Sequence, residues 1–423
     1  MEQIQQLERS IMTGDLEAVE ELVGQLESDP DLGMVYDSAS LLMEVGLVPQ
    51  ADRLYEALIT QMPDAGQLKI DRAEAFMALG REDEALLLLS DIRPDEEEYV
   101  QSLVLLADYY QTIGMAEVAL SKITEAESLA PEQPVILFAK AELLLGSGRY
   151  AEAARLYLLL QERGVEEMAG LAIEARIAEA FSAGAAYEEA LPHYEALIQK
   201  GDVMPDTLFG AAYSHYQSGL PQQALTYLDE LLEMDPDYFS AYMLAGQASL
   251  MLEENDRALE YFTEGIRRDE YDKELQLAAG KVSLKLSLPD EAAAHFAEAL
   301  ALDPEYTEAR ISLASLYEQQ GAFGELLDLL EASPVEQLEI PLLAAFKAYA
   351  EEDAERFGEA YASYTQAYTG MKEDPEFLGR FASFLLEEGR REEAVRIVRQ
   401  LTALDPGQSE WTSFLEDQEE EEA

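Results

Sequence analysis

One alanine recurs along this chain at an almost constant interval of 34 residues, and this interval limits what the chain can fold into. Eleven of the twelve positions in the column hold Ala, and the column consists of Ala18, Ala51, Ala85, Ala119, Ala153, Ala190, Ala224, Ala258, Ala292, Leu326, Ala360 and Ala394. A fixed period of roughly 20–50 residues is typical of proteins built from repeated structural units, each packed on the next. The column therefore predicts a solenoid rather than a set of separate globular domains.

The stretch 100–133 shows what one repeated unit contains. Its apolar residues recur with helical spacing up to Gly114, begin again directly afterwards, and stop at Pro131. Gly114 suits a tight turn, and Pro131 cannot continue a helix because it lacks a backbone N–H. The unit is therefore predicted to be a pair of antiparallel helices.

The arrangement of small, large, turn and stop residues within this unit resembles the tetratricopeptide repeat of bacterial cytoplasmic proteins. The residues that carry the resemblance are Ala107, Tyr110, Gly114, Ala119, Ala126 and Pro131. The resemblance covers nearly the whole chain. It implies an all-α fold, a right-handed superhelical solenoid of about twelve antiparallel helix pairs. It also implies that the first helix of each pair lines a concave groove where ligands bind.

The repeat register predicts six segments along the chain. They are an irregular helix pair at 1–30, regular units at 31–161, an inserted loop at 162–170, further units at 171–406, a capping segment at 407–415 and an acidic tail at 416–423. Terminal repeats are commonly irregular because one of their faces meets water. Trp411, Phe414 and Leu415 are expected to cover the last pair. The acidic run of the tail predicts a solvated, disordered segment.

The insertion has two interpretations. The spacing between Ala153 and Ala190 is three residues longer than the usual period, and the extra residues are expected between repeats at 162–170. A longer surface loop is the simpler interpretation, because loop insertions cost little free energy. The alternative is a hinge between a half of five units and a half of seven.

Acidic residues dominate the charged composition. Asp and Glu number 87 against 28 Lys and Arg, which gives a formal net charge of −59. Such a chain repels nucleic-acid phosphates and anionic membranes, so we expect no nucleic-acid partner. The acids serve either to recognise a basic partner or only to keep a long solenoid soluble.

The sequence also predicts a cytoplasmic protein. The first residues, MEQIQQLERS, lack the basic flank and apolar run of a secretory signal. No stretch reaches the length of apolar residues that a membrane-spanning helix needs, so we expect no membrane insertion.

The usual chemistry of enzymes is missing from the sequence. The chain has no cysteine, which excludes thiolate metal sites and a Cys nucleophile. His193, His215 and His295 fall in different repeats, so they predict neither a metal site nor a proton relay. The glycines at 146–148 match a loose dinucleotide fingerprint but follow a predicted helix instead of a strand. We therefore expect no catalysis and no cofactor.

With Val100 counted as the first position of a unit, the resemblance places positions two, five, nine and twelve in the groove. The ninth position is acidic in four consecutive units and then changes to Tyr213 and later to Lys281. Lys285 lies four residues after Lys281 and therefore shares its helix face. The predicted partner-binding groove consists of Ile70, Glu74, Val104, Asp108, Phe138, Glu142, Glu179, Phe209, Tyr213, Tyr216, Met243, Lys281 and Lys285.

One known function of such grooves does not carry over to this chain. Some tetratricopeptide proteins capture a C-terminal carboxylate with groove Lys and Asn residues. Here Asn255 is the single asparagine and lies at a predicted turn, while the corresponding groove positions are apolar or acidic. The sequence instead favours a partner with a basic or amphipathic segment, since four acids in one column alternate with apolar side chains.

The sequence thus predicts a non-catalytic scaffold or assembly factor that binds an apolar and basic segment of a partner protein. A holding chaperone for basic clients, a peptide-sensing regulator and the structural arm of a larger complex are the alternatives. Internal pairing of the acids with Arg72, Lys140 or Arg176 is the alternative in which the groove carries little free charge.

Overall fold

The computed structural model describes residues 2–201, 203–334 and 336–422, and these are almost entirely helical. The chain divides into two compact units, residues 1–218 and residues 219–423. Within each unit, successive helices pack against one another as antiparallel hairpins. The all-α solenoid predicted from the repeat period is therefore confirmed.

The first unit contains thirteen α-helices and one short strand pair within its described residues. They are α1 (Glu2–Thr13), α2 (Leu16–Leu26), α3 (Leu32–Glu44), α4 (Val48–Gln61), α5 (Gly66–Ala78), α6 (Glu82–Ser90), α7 (Tyr99–Thr112), α8 (Ala116–Leu129), α9 (Pro134–Gly146), α10 (Tyr150–Glu162), β1 (Glu167–Met168), β2 (Leu171–Ala172), α11 (Ile173–Ala183), α12 (Tyr187–Gln199) and α13 (Pro205–Gln217).

The second unit contains twelve α-helices and one 3₁₀ turn, again counted over its described residues. They are α14 (Pro221–Met234), α15 (Phe239–Met251), α16 (Asn255–Arg268), α17 (Lys273–Lys285), α18 (Pro289–Leu302), α19 (Thr307–Gln320), α20 (Phe323–Glu331), the 3₁₀ turn Gln337–Glu339, α21 (Pro341–Asp353), α22 (Phe357–Met371), α23 (Pro375–Glu387), α24 (Arg391–Leu404) and α25 (Ser409–Glu422).

The alanine column marks the places where the second helix of each hairpin meets its neighbours. Apart from the half-buried Ala18, every alanine of the column is 0% exposed. Leu326, the one larger residue in the column, is also 0% exposed and lies in the short helix α20. Packed interiors leave few gaps as large as a methyl group, so small residues allow the helices to approach closely here.

The turn inside each hairpin keeps one backbone conformation even where its glycine is replaced. Gly114 has a φ of 77°, in the left-handed region. Glu253, Ser287 and Glu355 replace this glycine in later units and still have φ values of 61°, 60° and 58°. Non-glycine residues pay roughly 1–2 kcal/mol in this region, so the tertiary fold imposes the turn there.

The insertion at 162–170 contains a short β-hairpin. Glu167 pairs with Ala172 and Met168 with Leu171, and the two residues between them both have positive φ, as two-residue hairpins require. Val165 and Met168 pack against the core of the first unit. The whole insertion lies within the first compact unit, which ends at residue 218.

The C-terminal segment forms the helix α25. Trp411, Phe414 and Leu415 pack against the core formed by the last hairpins, as a capping segment should. The helix continues to Glu422, whereas the sequence predicts a disordered tail from residue 416. The packed residues hold its first turns in place, and glutamate favours helix, so the acidic run extends it. Ala423 lies outside the described residues.

Candidate functional site

The first helices of successive hairpins lie side by side in the first unit. Helix α5 packs beside α7, α7 beside α9, and α11 beside α13. Arg176 on α11 donates a hydrogen bond to Glu142 on α9, which joins the two groups of helices. We call the surface formed by α5, α7, α9, α11 and α13 the first-helix face.

Two of the predicted groove residues lie in the core and not on this face. Ile70 is 0% exposed and packs among Ala73, Phe76 and the neighbouring helix. Phe138 is only 7% exposed and has an edge-to-face contact with Tyr157, at 6.1 Å between ring centroids. Their prediction as direct partner contacts is wrong, because both side chains turn toward the adjacent helices. Val104, by contrast, is half-buried at the face.

Two of the four acids in the ninth position pair with the same arginine, which offsets one of their two negative charges. The Arg176 guanidinium binds Glu142 through two nitrogens, with Nε 2.8 Å from Oε1, and also pairs with Glu179. Its side chain is only 16% exposed. The alternative of internal pairing is therefore correct for Glu142 and Glu179.

Tyr157 contacts both members of the Arg176–Glu142 pair. Its hydroxyl donates to Glu142 Oε1, and the Arg176 guanidinium lies 5.9 Å from its ring centroid. Burial first, and then the hydrogen bond to the carboxylate, raise the pKa of Tyr157. The tyrosine therefore stays protonated and acts as a fixed donor. This tyrosine was not among the predicted residues.

Glu74 and Asp108 remain without a cationic partner in the described part of the chain, and both side chains are exposed. Of the cations predicted to pair with the four acids, Arg72 and Lys140 are engaged elsewhere. Arg72 pairs with Asp52 at 2.8 Å, and Lys140 pairs with Glu127 at 2.5 Å. These two carboxylates thus present net negative charge on the first-helix face.

The surroundings of Glu74 make its ionised form less favourable than it is in water. Partial loss of water first, and then the nearby charge of Asp71, raise the pKa of Glu74. Burial likewise raises the pKa of Tyr55, beside the same face, to about 12. A cation placed at Glu74 would relieve this unfavourable environment, since an opposite charge stabilises the ionised carboxylate.

The last helix of this face carries aromatic side chains. Phe209 and Tyr213 stack with their centroids 6.3 Å apart, and Tyr213 contacts Tyr187 edge-to-face at 5.8 Å. Tyr213 and Tyr216 are half-buried, so each presents part of its ring to solvent. The face therefore changes from acidic at α5 and α7 to aromatic at α13.

The remaining predicted groove residues belong to the second unit. Met243 is half-buried on α15. Lys281 pairs with Glu308 at 2.5 Å, while Lys285 is exposed and forms no ion pair with any described residue. The neighbouring cations are also occupied, as with Lys273 and Asp303 at 2.6 Å. Lys281 is therefore already paired within the chain, whereas Lys285 is not.

A second arginine-centred cluster, missed in the sequence, occupies the first helices of the second unit. Arg380 on α23 lies 3.3 Å from Glu318 and 3.9 Å from Glu352, and its guanidinium is 3.7 Å from the ring centroid of Tyr349. Arg380 and Arg176 both hold the sixth position of their units. This shared position is the signal that could have found both clusters.

Two of the three histidines contact side chains of the preceding helix. His193 contacts Glu174 at 2.7 Å and stacks on Phe181, and His295 contacts Gln276 at 2.8 Å. Across the described residues, no group of three His, Cys, Asp or Glu side chains could hold a metal ion. In the same residues, no helix has the length and apolar character needed to cross a membrane.

Comparison with known families defines the class of this protein. A general tetratricopeptide repeat model matches residues 36–97, 209–273 and 277–334. Models described as YpiA-like tetratricopeptide repeats and YpiA-like C-terminal tetratricopeptide repeats match residues 111–165 and 341–408. The resemblance read from the sequence is confirmed: this is a tetratricopeptide repeat protein, a class that mediates interactions between proteins.

A curated relative shows to which family of tetratricopeptide repeat proteins the chain belongs. The TPR repeat-containing protein YpiA of Bacillus subtilis (strain 168) is 34% identical over 373 residues, which cover 88% of each chain. The chain therefore belongs to the family of YpiA-like tetratricopeptide repeat proteins.

Solved structures with a similar fold are more distant in sequence. The C-terminal part of a TPR repeat-containing protein from Cytophaga hutchinsonii is 15% identical, with a TM-score of 0.46 over 65% of this chain and 98% of that chain. A tetratricopeptide repeat protein from Parabacteroides merdae is 18% identical, with a TM-score of 0.44 over 60% of this chain and 98% of that chain.

Proposed function

We propose that this protein is a non-catalytic cytoplasmic scaffold or assembly factor that binds an apolar and basic segment of a partner protein on the first-helix face. The observation that carries the proposal is the pair of exposed carboxylates, Glu74 and Asp108, that lack a cation within the described chain. The cations nearest to them in sequence, Arg72 for Glu74 and Arg93 and Lys122 for Asp108, pair with other acids. A basic segment of a partner would supply the positive charge that these two positions lack within the chain.

The apolar character of the same face supports an amphipathic partner. Val104 lies half-buried on the helix that carries Asp108, and the stacked rings of Phe209 and Tyr213 lie farther along the face. Aromatic side chains with exposed ring surface are favoured at protein interfaces because they bury much apolar area. A segment with Lys or Arg on one edge and apolar residues on the other would match both features.

The charge of the whole chain supports fast capture of such a segment. A formal net charge of −59 attracts cations over longer distances than a single ion pair does. This attraction falls with ionic strength, because the Debye length is only about 8 Å at physiological salt. Binding to a basic partner should therefore weaken markedly as salt is added.

Affinity purification with quantitative mass spectrometry tests this proposal. The bait is the full chain, as wild type, as Glu74→Gln with Asp108→Asn, and as a control with Glu117→Gln and Glu132→Gln. Both double variants remove two negative charges, but the control removes them from exposed positions outside the first helices. Partners with basic segments should be lost only with the first variant. The same partners at the same yield with all three baits would contradict the proposal.

The purified partner then distinguishes the alternative functions. One partner in fixed stoichiometry is the result expected for a scaffold. Many weakly bound basic clients, whose aggregation the protein suppresses, would instead identify a holding chaperone. A single short peptide that changes the conformation of the chain would identify a regulator.

A further inference from the structure

The sixth and ninth positions of neighbouring units touch on the first helices. In the first unit, Arg176 holds the sixth position and binds Glu142, the ninth position of the preceding repeat. In the second unit, Arg380 holds the sixth position and lies over Tyr349, again the ninth position of the preceding repeat. The same contact therefore appears in both units, which makes it a property of the repeat geometry.

The repeat register places apolar residues where these arginines would be expected beside the two unpaired acids. Leu105 is the sixth-position residue that follows Glu74, and Ala139 is the one that follows Asp108. Leu105 and Ala139 are both half-buried and pack at the edge of the core. Neither can supply the guanidinium that Arg176 supplies to Glu142.

We propose that Glu74 with Leu105, and Asp108 with Ala139, form two neighbouring receptor sites for two cationic side chains of the bound segment. This inference rests on the proposed function and specifies how the partner is recognised. Each incoming Lys or Arg takes the place beside its carboxylate that Arg176 takes beside Glu142. Arg176 thus shows, within the same fold, how a guanidinium is held on this face.

The chemistry of each site favours a long cationic side chain over a small cation. Arg and Lys lay their aliphatic stems along apolar surface and keep their charge at its edge. By the register that joins Arg176 to Glu142, Leu105 offers such a surface beside Glu74, and the small Ala139 does so beside Asp108. Burial first, and then the charge of Asp71, raise the pKa of Glu74, and no cation of the described chain offsets them. An inorganic cation would gain nothing from the apolar half of either site.

The distance between the two sites sets the spacing of the cations. Packed helices lie roughly 8–10 Å apart, so equivalent positions on α5 and α7 should be separated by about that distance. A segment in polyproline II conformation advances about 9 Å over three residues and returns to the same edge. The two cationic residues are therefore expected three positions apart in an extended segment.

The test uses a fluorescent synthetic peptide with two arginines three positions apart among leucine, alanine and serine. Its binding to the full chain is measured by fluorescence anisotropy at low and physiological salt. Leu105→Arg with Ala139→Arg fills both sites from within the protein and should weaken binding about tenfold, since two partly exposed ion pairs are lost and repulsion is added. Glu74→Gln with Asp108→Asn should weaken binding to a similar extent.

The matched control is Leu105→Gln with Ala139→Gln, which adds side-chain length without charge and should weaken binding far less than the arginine pair does. A peptide with the same composition but adjacent arginines should bind more weakly than the spaced peptide. Equal affinity of the wild type and both charge variants for the spaced peptide would overturn the inference. Equal affinity of the wild type for the two peptides would overturn the predicted spacing.

The outcomes separate this inference from the proposed function. If the purified partner depends on Glu74 and Asp108 but binds Leu105→Arg with Ala139→Arg as well as it binds the wild type, the proposed function stands and the two receptor sites are wrong. If the partner binds all acid variants equally, the proposed function fails first. Circular dichroism of each variant confirms that the chain is folded before binding is measured.

Discussion

Gly246 provides a sharp test of how tightly the helix hairpins are packed. A Cβ atom added to this helical glycine would lie 2.1 Å from Cε1 and 2.4 Å from Cζ of Phe262. Phe262 is 0% exposed, and carbon atoms in contact are best separated by about 3.5–4.0 Å. The ring would have to move by more than 1 Å, roughly, within a packed interior.

The expected cost of Gly246→Ala follows from two opposing terms. Alanine in a helix interior stabilises by about 1 kcal/mol relative to glycine, whereas overpacking a core costs about 1–3 kcal/mol. Because the contact is so short, the overpacking cost should exceed the gain, and we expect a net loss of up to about 2 kcal/mol in the free energy of unfolding. Gly24→Ala is the matched control, because Gly24 is an exposed helical glycine with no atom within 4 Å of the added Cβ. It should stabilise the protein.

A second substitution should rescue the first. Ala314 and Leu330 occupy the equivalent two positions of a later unit, and both are 0% exposed. In the Phe262→Leu background, Gly246→Ala should therefore no longer destabilise the chain. The expected coupling free energy in a double-mutant cycle is about 1–2 kcal/mol. Chemical unfolding followed by circular dichroism measures all four proteins. If Gly246→Ala stabilises the chain as Gly24→Ala does, the argument from close packing is refuted.

Four further predictions concern the alanine column, the hairpin turn at Glu253, the ion pair of Arg176 with Glu142, and the raised pKa of Glu74. Ala119→Leu should cost about 1–3 kcal/mol by overpacking, while the surface change Glu117→Gln should stay within about 0.5 kcal/mol; equal unfolding midpoints would contradict this. Glu253→Gly should raise the melting temperature, because glycine adopts the left-handed turn without strain. Arg176→Met should cost about 1–2 kcal/mol in the same unfolding assay, since it leaves the half-buried Glu142 without its partner. Because its pKa is raised on folding, ionised Glu74 lowers stability at neutral pH, so Glu74→Gln should stabilise there and lose that advantage as pH falls toward the unfolded value of about 4.3.

The fold was predictable because each repeat carries the same kinds of residue at the same positions. The alanine column fixed the helix-to-helix contacts, and all its alanines except Ala18 are fully buried. The hairpin inside the insertion was not predictable in the same way, since Ala169 with a φ of 52° gives no sequence signal for a positive φ. The helix at the acidic tail depended on anchoring by Trp411, which charge alone does not reveal.

The candidate site was predictable only in part. Helical spacing correctly brought Glu74, Asp108, Glu142 and Glu179 to equivalent places, but it gave no means of deciding which of them a cation neutralises. Arg176 reaches across 34 residues of sequence to Glu142, a contact set by the stacking of one hairpin on the next. Ile70 was wrongly predicted to line the groove, because its position in the repeat does not determine whether a neighbouring helix covers its side chain.

Site-specific photo-crosslinking tests most directly whether the bound segment lies on the first-helix face. A photoreactive amino acid replaces Gln111, exposed on α7 of the first-helix face, or Ser128, exposed on the second helix α8 of the same hairpin. The fluorescent two-arginine peptide is added, and its crosslinks are quantified with and without excess unlabelled peptide. Binding on the first-helix face should give competable crosslinking at 111, reduced by Glu74→Gln with Asp108→Asn, and little at 128. Crosslinking at 128 with none at 111 would contradict binding on the first-helix face.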